Sequence, residues 1–414
     1  MPGTQTVFAN MRKIDLNNFQ VATSETARDI NSRIMLNLVR KHQPLSRADL
    51  MRRSGLQRST VSVITEQLIS EQWLREGAVG QALRGRRPTF LHLNENHAGI
   101  FGINVRPFTT HMALANLAGH FLSQESMPTP SSPDAFVSQI TERIRVLMKE
   151  RPHMAYEGIG VSLPGRVDLS SQKFVFAPNL GWHVEDLKER LEKATGLAVD
   201  LENEANACAL SEFWFGHHND GARNLIAVAV SEGIGVGMIL NGQLVRGPSG
   251  LAGEFGHVTL DENGPKCGCG NHGCWEVYAS NSAALRYYAQ SKSSARNGKT
   301  KNPAHSQALT FDDLLQLAEN GDLRARAALD QMAHYLGKGI SMLVTGLAPE
   351  AIVVVGEVTR AWDRIATIIT DVVKQRSYTH AKTRITASGP APQPRLRGII
   401  ALVLQKHFGA PTIA

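Results

Sequence analysis

The sequence predicts an N-terminal winged helix-turn-helix followed by an α/β body of two similar halves with a central cleft. Three observations predict it. The excess positive charge lies in the first fifth of the chain. A short helix, a Gly turn and a second helix with a polar leading end occur in that same stretch. From Gly99 onward strand-like and helix-like patterns alternate, and the series begins afresh at Leu225.

The chain has 414 residues, 42% of them hydrophobic and 20% charged. That length predicts two to four domains at roughly 100–200 residues each, and the composition excludes global disorder. No run of eighteen apolar residues occurs, so no membrane span is expected. The first twenty residues hold no apolar core of a signal peptide, and a cytoplasmic protein is expected. Residues 1–92 carry 14 basic residues (Arg12 through Arg87) and 7 acidic ones (Asp15 through Glu76), the whole net +7 of the chain. The remaining residues carry 30 of each sign. A basic module beside a neutral body points to nucleic-acid contact by that module.

Residues 1–25 are polar and read as an arm, and 26–94 read as the DNA-binding domain. Ile30, Ile34, Leu38 and Val39 repeat at helical spacing until Pro44 stops the helix. Ser46 is a candidate N-cap with Asp49 in the following turn, and Gly55 supplies a tight turn. A third helix is expected over about Gln57–Ser70, with Val61, Ile64 and Leu68 on one face and Arg58, Ser59, Ser62 and Thr65 on the other. In a helix-turn-helix this last helix enters the major groove N-terminus first. Arg58 is then within reach of a base edge, and Ser59, Thr60 and Ser62 of phosphates or bases. Arg47 and Gln57 complete the DNA-contact set on the helices. Trp73-Leu74 and Thr89–Leu93 read as two strands around a basic tip, Gly80 to Pro88. Such a wing lays Arg84, Arg86 and Arg87 on phosphates or in a minor groove.

The body reads as 95–217 and 218–414. In the first half, Gly99–Val105 and Met112–Leu117 form a strand pair and Ala135–Lys149 an amphipathic helix. Glu157–Leu163 is a strand ending in Pro164-Gly165, Val184–Thr195 a helix, Val199–Leu201 a short strand and Ala205–Phe215 a helix closed by Gly216. The second half repeats this logic from Leu225, and its C-terminal helix is expected to pack back on the first half. Gln290–Thr310 is polar and is expected to be a loop. A cleft between similar halves is where small ligands usually bind.

Three of the four cysteines, Cys267, Cys269 and Cys274, lie within eight residues. Clustered thiols in a chain without a secretory signal read as a metal site rather than a disulfide framework. Tetrahedral zinc needs a fourth ligand. His257 in Gly253-Glu254-Phe255-Gly256-His257 is the nearest, and His272 inside the loop is the rival. Closed Cys3His coordination is structural, not catalytic. Cys208 stands alone on a helix and reads as a packed core thiol.

Gly253-Glu254-Phe255-Gly256-His257 followed by Cys267-Gly-Cys-Gly-Asn-His-Gly-Cys274-Trp275-Glu276 resembles the ROK family of sugar kinases and repressors. The preceding helix-turn-helix and Gly85-Arg86-Arg87-Pro88 resemble its repressor branch, and the likeness runs from about residue 26 to the C-terminal region. The resemblance implies two ribonuclease-H-like subdomains in the actin/hexokinase arrangement, with sugar in the cleft. It also implies zinc on His257, Cys267, Cys269 and Cys274. Carried over position by position, it implies sugar contacts at Gly165, Arg166, Asn179, Asn203, Glu204, Glu254, His257 and Glu276. Carboxylates and amides suit sugar hydroxyls and discriminate, because an unpaired buried group is costly.

The departures from the kinase pattern weigh against catalysis. The base position, an Asp in the kinases, is Glu204 here. The first phosphate loop is replaced by Asn104-Val105-Arg106-Pro107-Phe108, where Pro offers no N–H and Phe is expected to block close approach. The second reads Ser231-Glu232-Gly233-Ile234-Gly235-Val236-Gly237, which sets a carboxylate where phosphate would sit. Gly356-Glu357 stands for an expected Gly-Gly near the adenosine. The expectation is a sugar-responsive, DNA-binding transcriptional regulator, a repressor of carbohydrate-metabolism genes, with operator DNA and a sugar or sugar-phosphate effector as partners. It carries structural zinc, uses no ATP, contacts no membrane and acts as a homodimer or homotetramer, since operators mirror protein symmetry. The alternatives are an ATP-dependent sugar kinase with an appended DNA module, and a regulator whose body binds a protein partner.

Overall fold

The structure is a computed structural model. It describes residues 23–79, 87–168, 173–176, 180–182, 186–216, 221–247, 250–294, 309–376, 382–389 and 393–409. These divide into two units, one within Met1–His97 together with Leu404–Ala414 and the other Ala98–Val403. Among the described residues no helix is long and apolar enough to cross a membrane.

The first unit opens with α1 (Ser24–His42), where Thr23 caps the helix and Thr26 returns the bond. The helix thus starts two residues inside the expected arm. Next come β1 (Leu45–Ser46), α2 (Arg47–Ser54), α3 (Arg58–Ser70), β2 (Leu74–Val79) and β3 (Thr89–Leu93). Ser46 is the N-cap of α2: its Oγ accepts from the Asp49 amide at 3.2 Å, and the Asp49 carboxylate accepts from the Ser46 amide at 2.9 Å. This reciprocal pair satisfies donors that a helix start leaves open. Gly55, at φ 72°, ends α2 in the left-handed region that favours glycine. Gln57 is the N-cap of α3, so Arg58 is its first helical residue. Met35, Val39, Leu50, Val61, Ile64, Leu68, Leu74, Leu91 and Leu93 fill the core. Thr65 corrects the expected polar face: it is fully buried, and Val63 is the exposed residue instead. The strands form one antiparallel sheet in the order β1-β3-β2. The wing tip, with Arg84 and Arg86, lies outside the described residues.

In the second unit the first half holds β4 (Ala98–Val105), β5 (Thr109–Asn116), β6 (Phe121–Pro128), α4 (Pro133–Glu150) and β7 (Ala155–Leu163). It continues with β8 (Arg166–Asp168), β9 (Lys173–Phe176), α5 (Leu187–Thr195), β10 (Val199–Asn203) and α6 (Glu204–Phe215). The second half holds β11 (Leu225–Val230), β12 (Ile234–Leu240), β13 (Gln243–Val245), α7 (Glu276–Ala279), α8 (Asn281–Ser294), α9 (Phe311–Glu319) and α10 (Leu323–Leu347). It ends with β14 (Ala351–Val355), α11 (Trp362–Arg376), β15 (Arg384–Ala387) and α12 (Pro394–Phe408). The sheets run β10-β7-β4-β5-β6 and β13-β12-β11-β14-β15. In each, the first three strands of the half pair antiparallel and the next two add in parallel. Strand order and direction therefore repeat, which is the duplicated ribonuclease-H-like arrangement of the actin/hexokinase body.

Ala205, Cys208 and Leu210 of α6 and Ile399, Ala401 and Leu402 of α12 share a core with β11 and β14. Burial pushes the Cys208 thiol up to about 12, as fits a packed core thiol. Gly160 lets α12 lie against β7: a Cβ there would stand 2.1 Å from Ile399 Cγ2. One expectation is corrected. Residues 290–294 continue α8 rather than forming a loop, because Tyr287 and Tyr288 are buried and carry the helix past the polar run. Residues 404–409 group with the first unit. There the Asn37 side-chain amide donates to the Phe408 carbonyl at 2.5 Å, and Arg33 to that of Gly409 at 3.1 Å.

Candidate metal centre and ligand cleft

The metal loop is pinned to β12. Gly253, at φ 102°, would place a Cβ 2.2 Å from the Val236 carbonyl, and Gly256 one 2.2 Å from that of Ile234. Only glycines let the Glu254–His257 turn approach the strand so closely. Beyond it the chain folds back on itself through bridges Thr259 to Cys274 and Lys266 to His272. The amide of Leu260 donates to Gly273 at 2.7 Å and that of Trp275 to Val258 at 2.9 Å. Trp275 is fully buried, and its indole N–H donates to the Tyr335 carbonyl at 2.9 Å.

This knot gathers His257, Cys267, Cys269 and Cys274 with all donor atoms within 4.8 Å of one another. Cys269 Sγ lies 3.6 Å from Cys274 Sγ, and Cys267 Sγ 3.6 Å from His257 Nδ1. Tetrahedral zinc with its usual bond lengths needs donor separations of roughly 3.5–3.8 Å. The donor set fits. His272 is exposed, held in the loop's own bridge, and outside the group.

Further candidate ligand residues meet at the start of β12. Glu276 Oε2 accepts from the Ile234 amide at 3.4 Å, and its Oε1 stands 2.9 Å from Cys267 Sγ. The two nitrogens of His257 face different ways: Nδ1 toward the sulfurs, Nε2 toward Glu254 Oε2 at 3.7 Å. From the other half, Ala205 abuts the strand at Gly235, where an added Cβ would meet its methyl at 2.7 Å. Asn203 caps α6: its Oδ1 accepts from the Ala205 amide at 2.7 Å, and its Nδ2 donates to the Gly165 carbonyl at 2.8 Å. Glu204 Oε2 accepts from Arg395 Nε at 2.9 Å. Arg166 is described in its backbone alone, as part of β8, and Asn179 lies outside the described residues.

Three arginines were not singled out by sequence. Arg246 Nε donates to the buried Glu202 at 2.8 Å. Arg395 holds Glu204 as above. Arg106 pairs with both Glu232 and Glu357 at 3.3 Å. Burial works to raise the Glu357 carboxyl, but its own backbone amide, Arg106 and Arg395 hold it below the ordinary range. The signal for Arg106 was present in sequence, because a cation and two carboxylates replace residues in three separate loops. Phe108 corrects an expectation: it is 88% exposed, so Arg106, and not Phe108, occupies the space between these loops.

On the first unit Gln57, Arg58 and Ser59 are exposed at the leading end of α3, while Thr60 and Ser62 are half-buried. Arg87 is exposed two residues before β3. Arg47 is held by Glu76 at 3.0 Å, which draws it toward β2.

Residues 101–406 match the ROK family. The chain is 34% identical over 362 residues to a xylose repressor of Bacillus subtilis (strain 168), covering 87% of this chain and 90% of the relative. A solved ROK family transcriptional regulator, described as a homolog of the E. coli MLC protein, superposes with a TM-score of 0.79 at 25% identity. It covers 92% of this chain and 98% of its own. A ROK family glucokinase from Streptomyces griseus in complex with glucose and AMPPNP superposes with a TM-score of 0.64 at 26% identity, over 74% of this chain and 99% of its own. The kinase thus matches less of this chain than the regulator does. The chain belongs to the ROK family, in its transcriptional-regulator branch.

Proposed function

We propose that the chain is a sugar-responsive repressor of carbohydrate-metabolism genes that binds operator DNA through its N-terminal unit. The observation that carries this reading is the exposed Arg58–Ser59 end of α3, presented beside a wing on a unit attached to a ROK body. Arg58 reads a base edge, with Gln57, Ser59, Thr60 and Ser62 beside it, and Arg47, Arg84, Arg86 and Arg87 serve the backbone. The active form is a homodimer or homotetramer, matching a two-fold operator.

The effector is a sugar, and D-xylose is the first candidate because the xylose repressor shares 34% of aligned residues. Glu254, His257 and Glu276 take its hydroxyls from one side, and Gly165, Arg166, Asn179, Asn203 and Glu204 from the other. Zinc on His257, Cys267, Cys269 and Cys274, closed by four protein ligands, supplies fixation of the loop and no open position for chemistry. His257 serves both, Nδ1 toward metal and Nε2 toward sugar. Glu204 occupies the base position, but Arg395 takes one of its oxygens. Kinase activity is not expected, because Arg106, Glu232 and Glu357 satisfy one another where nucleotide phosphates would need donors.

The test is a thermal-shift screen against D-xylose, D-glucose and their phosphates, followed by operator titration with and without the sugar that stabilises. Stabilisation by a sugar together with a changed operator affinity is expected. Sugar phosphate forming from ATP at ordinary turnover in a coupled assay would return the kinase reading. Stabilisation by no sugar would favour a body that binds a protein partner.

A further inference from the structure

We propose that Arg395 is a positioning residue of the sugar cleft and that α12 carries the state of the cleft to the N-terminal unit. The proposal rests on the sugar-responsive reading above and names how that response is transmitted.

Arg395 is the second residue of α12 and 6% exposed. Its partner Glu204 is the first residue of α6. One turn further along both helices, Gly398 sits so close to Ala207 that an added Cβ would stand 1.7 Å from the Ala207 carbonyl. The helices are therefore joined by an ion pair and a backbone contact at the same end, with Ile399 seated over Gly160. Helices held that tightly shift together rather than deform. Burial works to lower the Arg395 guanidinium, but Glu204, Cys208 and Glu357 raise its pKa above the ordinary value, so it stays a cation.

Arg395 takes Glu204 Oε2, which leaves Oε1 to a sugar hydroxyl. A sugar bound there fixes the carboxylate and, through it, the guanidinium at the start of α12. Such a contact gives the ligand a different affinity for two positions of α12, which is what an allosteric effect requires. The last turn of the same helix belongs to the N-terminal unit. Its end carbonyls, which a helix leaves without partners, are taken by Asn37 and Arg33 of α1. Phe408 stands edge-on to Trp73 at 6.3 Å, and the Arg40 guanidinium lies 5.3 Å over the Phe408 ring. A movement of α12 thus acts directly on α1 and on the residue that precedes β2.

The experiment uses the full chain with its metal. Sugar affinity is measured by calorimetry with D-xylose and D-glucose, and operator affinity by anisotropy with and without sugar, for wild type, Arg395→Met, Arg395→Lys and Phe408→Ala. In wild type the sugar is expected to change operator affinity by about 5–150-fold. Arg395→Met should weaken sugar binding about tenfold and reduce that change to below about threefold. Arg395→Lys keeps the cation beside Glu204 and should restore sugar affinity to within about threefold of wild type. Phe408→Ala touches no sugar, so sugar affinity should stay within about twofold while the change in operator affinity again falls below about threefold. If Arg395→Met does not fold, Arg395→Lys and Phe408→Ala decide. A wild-type protein indifferent to every sugar would overturn the functional reading and the relay with it. A wild-type response that Phe408→Ala retains in full, or that a folded Arg395→Met retains in full, would overturn the relay alone, as would an Arg395→Lys protein that loses it.

Discussion

In the N-terminal unit the exposed end of α3 is held by neighbours in sequence. Ser46 and Asp49 start α2, Gly55 turns the chain, and Gln57 starts α3. In the body the candidate ligand residues Glu204 and Glu276 are held by partners far away, Arg395 and the Ile234 amide. Arg395 reaches Glu204 across 191 residues, and Arg246 reaches Glu202 across 44. The difference follows from what each surface has to do. A helix that presents side chains to a duplex needs only its own axis and register fixed. A cleft that recognises a small polar ligand needs donors and acceptors converging from several elements, each oriented by a second group. The body therefore concentrates buried charge, in Glu202, Glu212 and Arg395, whereas the described basic residues of the first unit are half-buried or exposed.

The metal should break this comparison most strongly. The loop from Glu254 to Glu276 contributes few apolar side chains of its own beyond Trp275, so its geometry depends on the four donors. Structural zinc sites in isolated peptides are worth about 10–16 kcal/mol of apparent binding free energy at neutral pH. We expect about one zinc per chain by elemental analysis. Cys269→Ser or stripping of the metal should cost several degrees of melting temperature and abolish sugar stabilisation, while binding of the first unit to a duplex without sugar persists. Protein purified without chelator that holds no metal would contradict the assignment. Gly339→Ala approaches the same loop from behind: a Cβ would stand 1.8 Å from the Trp275 ring. Overpacking of this kind typically costs about 1–3 kcal/mol, and sugar affinity should fall with it.

The second contrast lies within the N-terminal unit. Arg58→Ala should cost about 1–3 kcal/mol at the operator and relax specificity at one position. Arg87→Ala should weaken operator and scrambled duplexes alike, with a shallower dependence of affinity on salt, because a phosphate contact releases a counterion and reads no base. Titrations at several salt concentrations on both duplexes check this. Equal losses and equal slopes for the two variants would mean that α3 and the wing do not divide the work as argued.

How legible each region was follows from the same contrast. Ser46, Gly55 and the Val61, Ile64, Leu68 spacing act over one or two helical turns, so local rules find them. The apolar runs at 225–230 and 351–355 are strands buried on both faces, and they stand out for that reason. The edge strand β6 was missed because its outward residues are polar and its alternation is weak. The β8–β9 hairpin was missed because its strands are short: the one apolar run there, Phe174-Val175-Phe176, has three residues. Thr65 was placed on the wrong face because its polarity outweighed its position between Val61 and Leu68. The four metal donors were legible from a spacing, but the pairing of Arg395 with Glu204 was not, because no local pattern records which helix ends meet in the core.

The smallest expected effect tests the local side of the comparison by itself. Ser46→Ala removes the hydroxyl that accepts from the Asp49 amide, and loss of such a cap costs about 0.5–2 kcal/mol. The Ser46 hydroxyl and amide hold the Asp49 carboxyl below its ordinary value, with Arg52 helping and burial opposing. A carboxyl lowered in the folded state contributes stability that is complete above its unfolded pKa of about 3.9 and fades as pH falls through the lower, folded value. The wild-type unit should therefore lose this contribution below about pH 4, and Ser46→Ala should lose less over the same window because part of the lowering is already gone. Chemical denaturation of the full chain followed at pH 7 and at pH 3.5 measures both slopes. The operator affinity of Ser46→Ala at pH 7 should follow wild type closely, since α3 starts beyond the Gly55 turn and is seated by its own buried Val61, Ile64 and Leu68. A large loss of operator binding would show that the cap of α2 also fixes the position of α3 on the DNA.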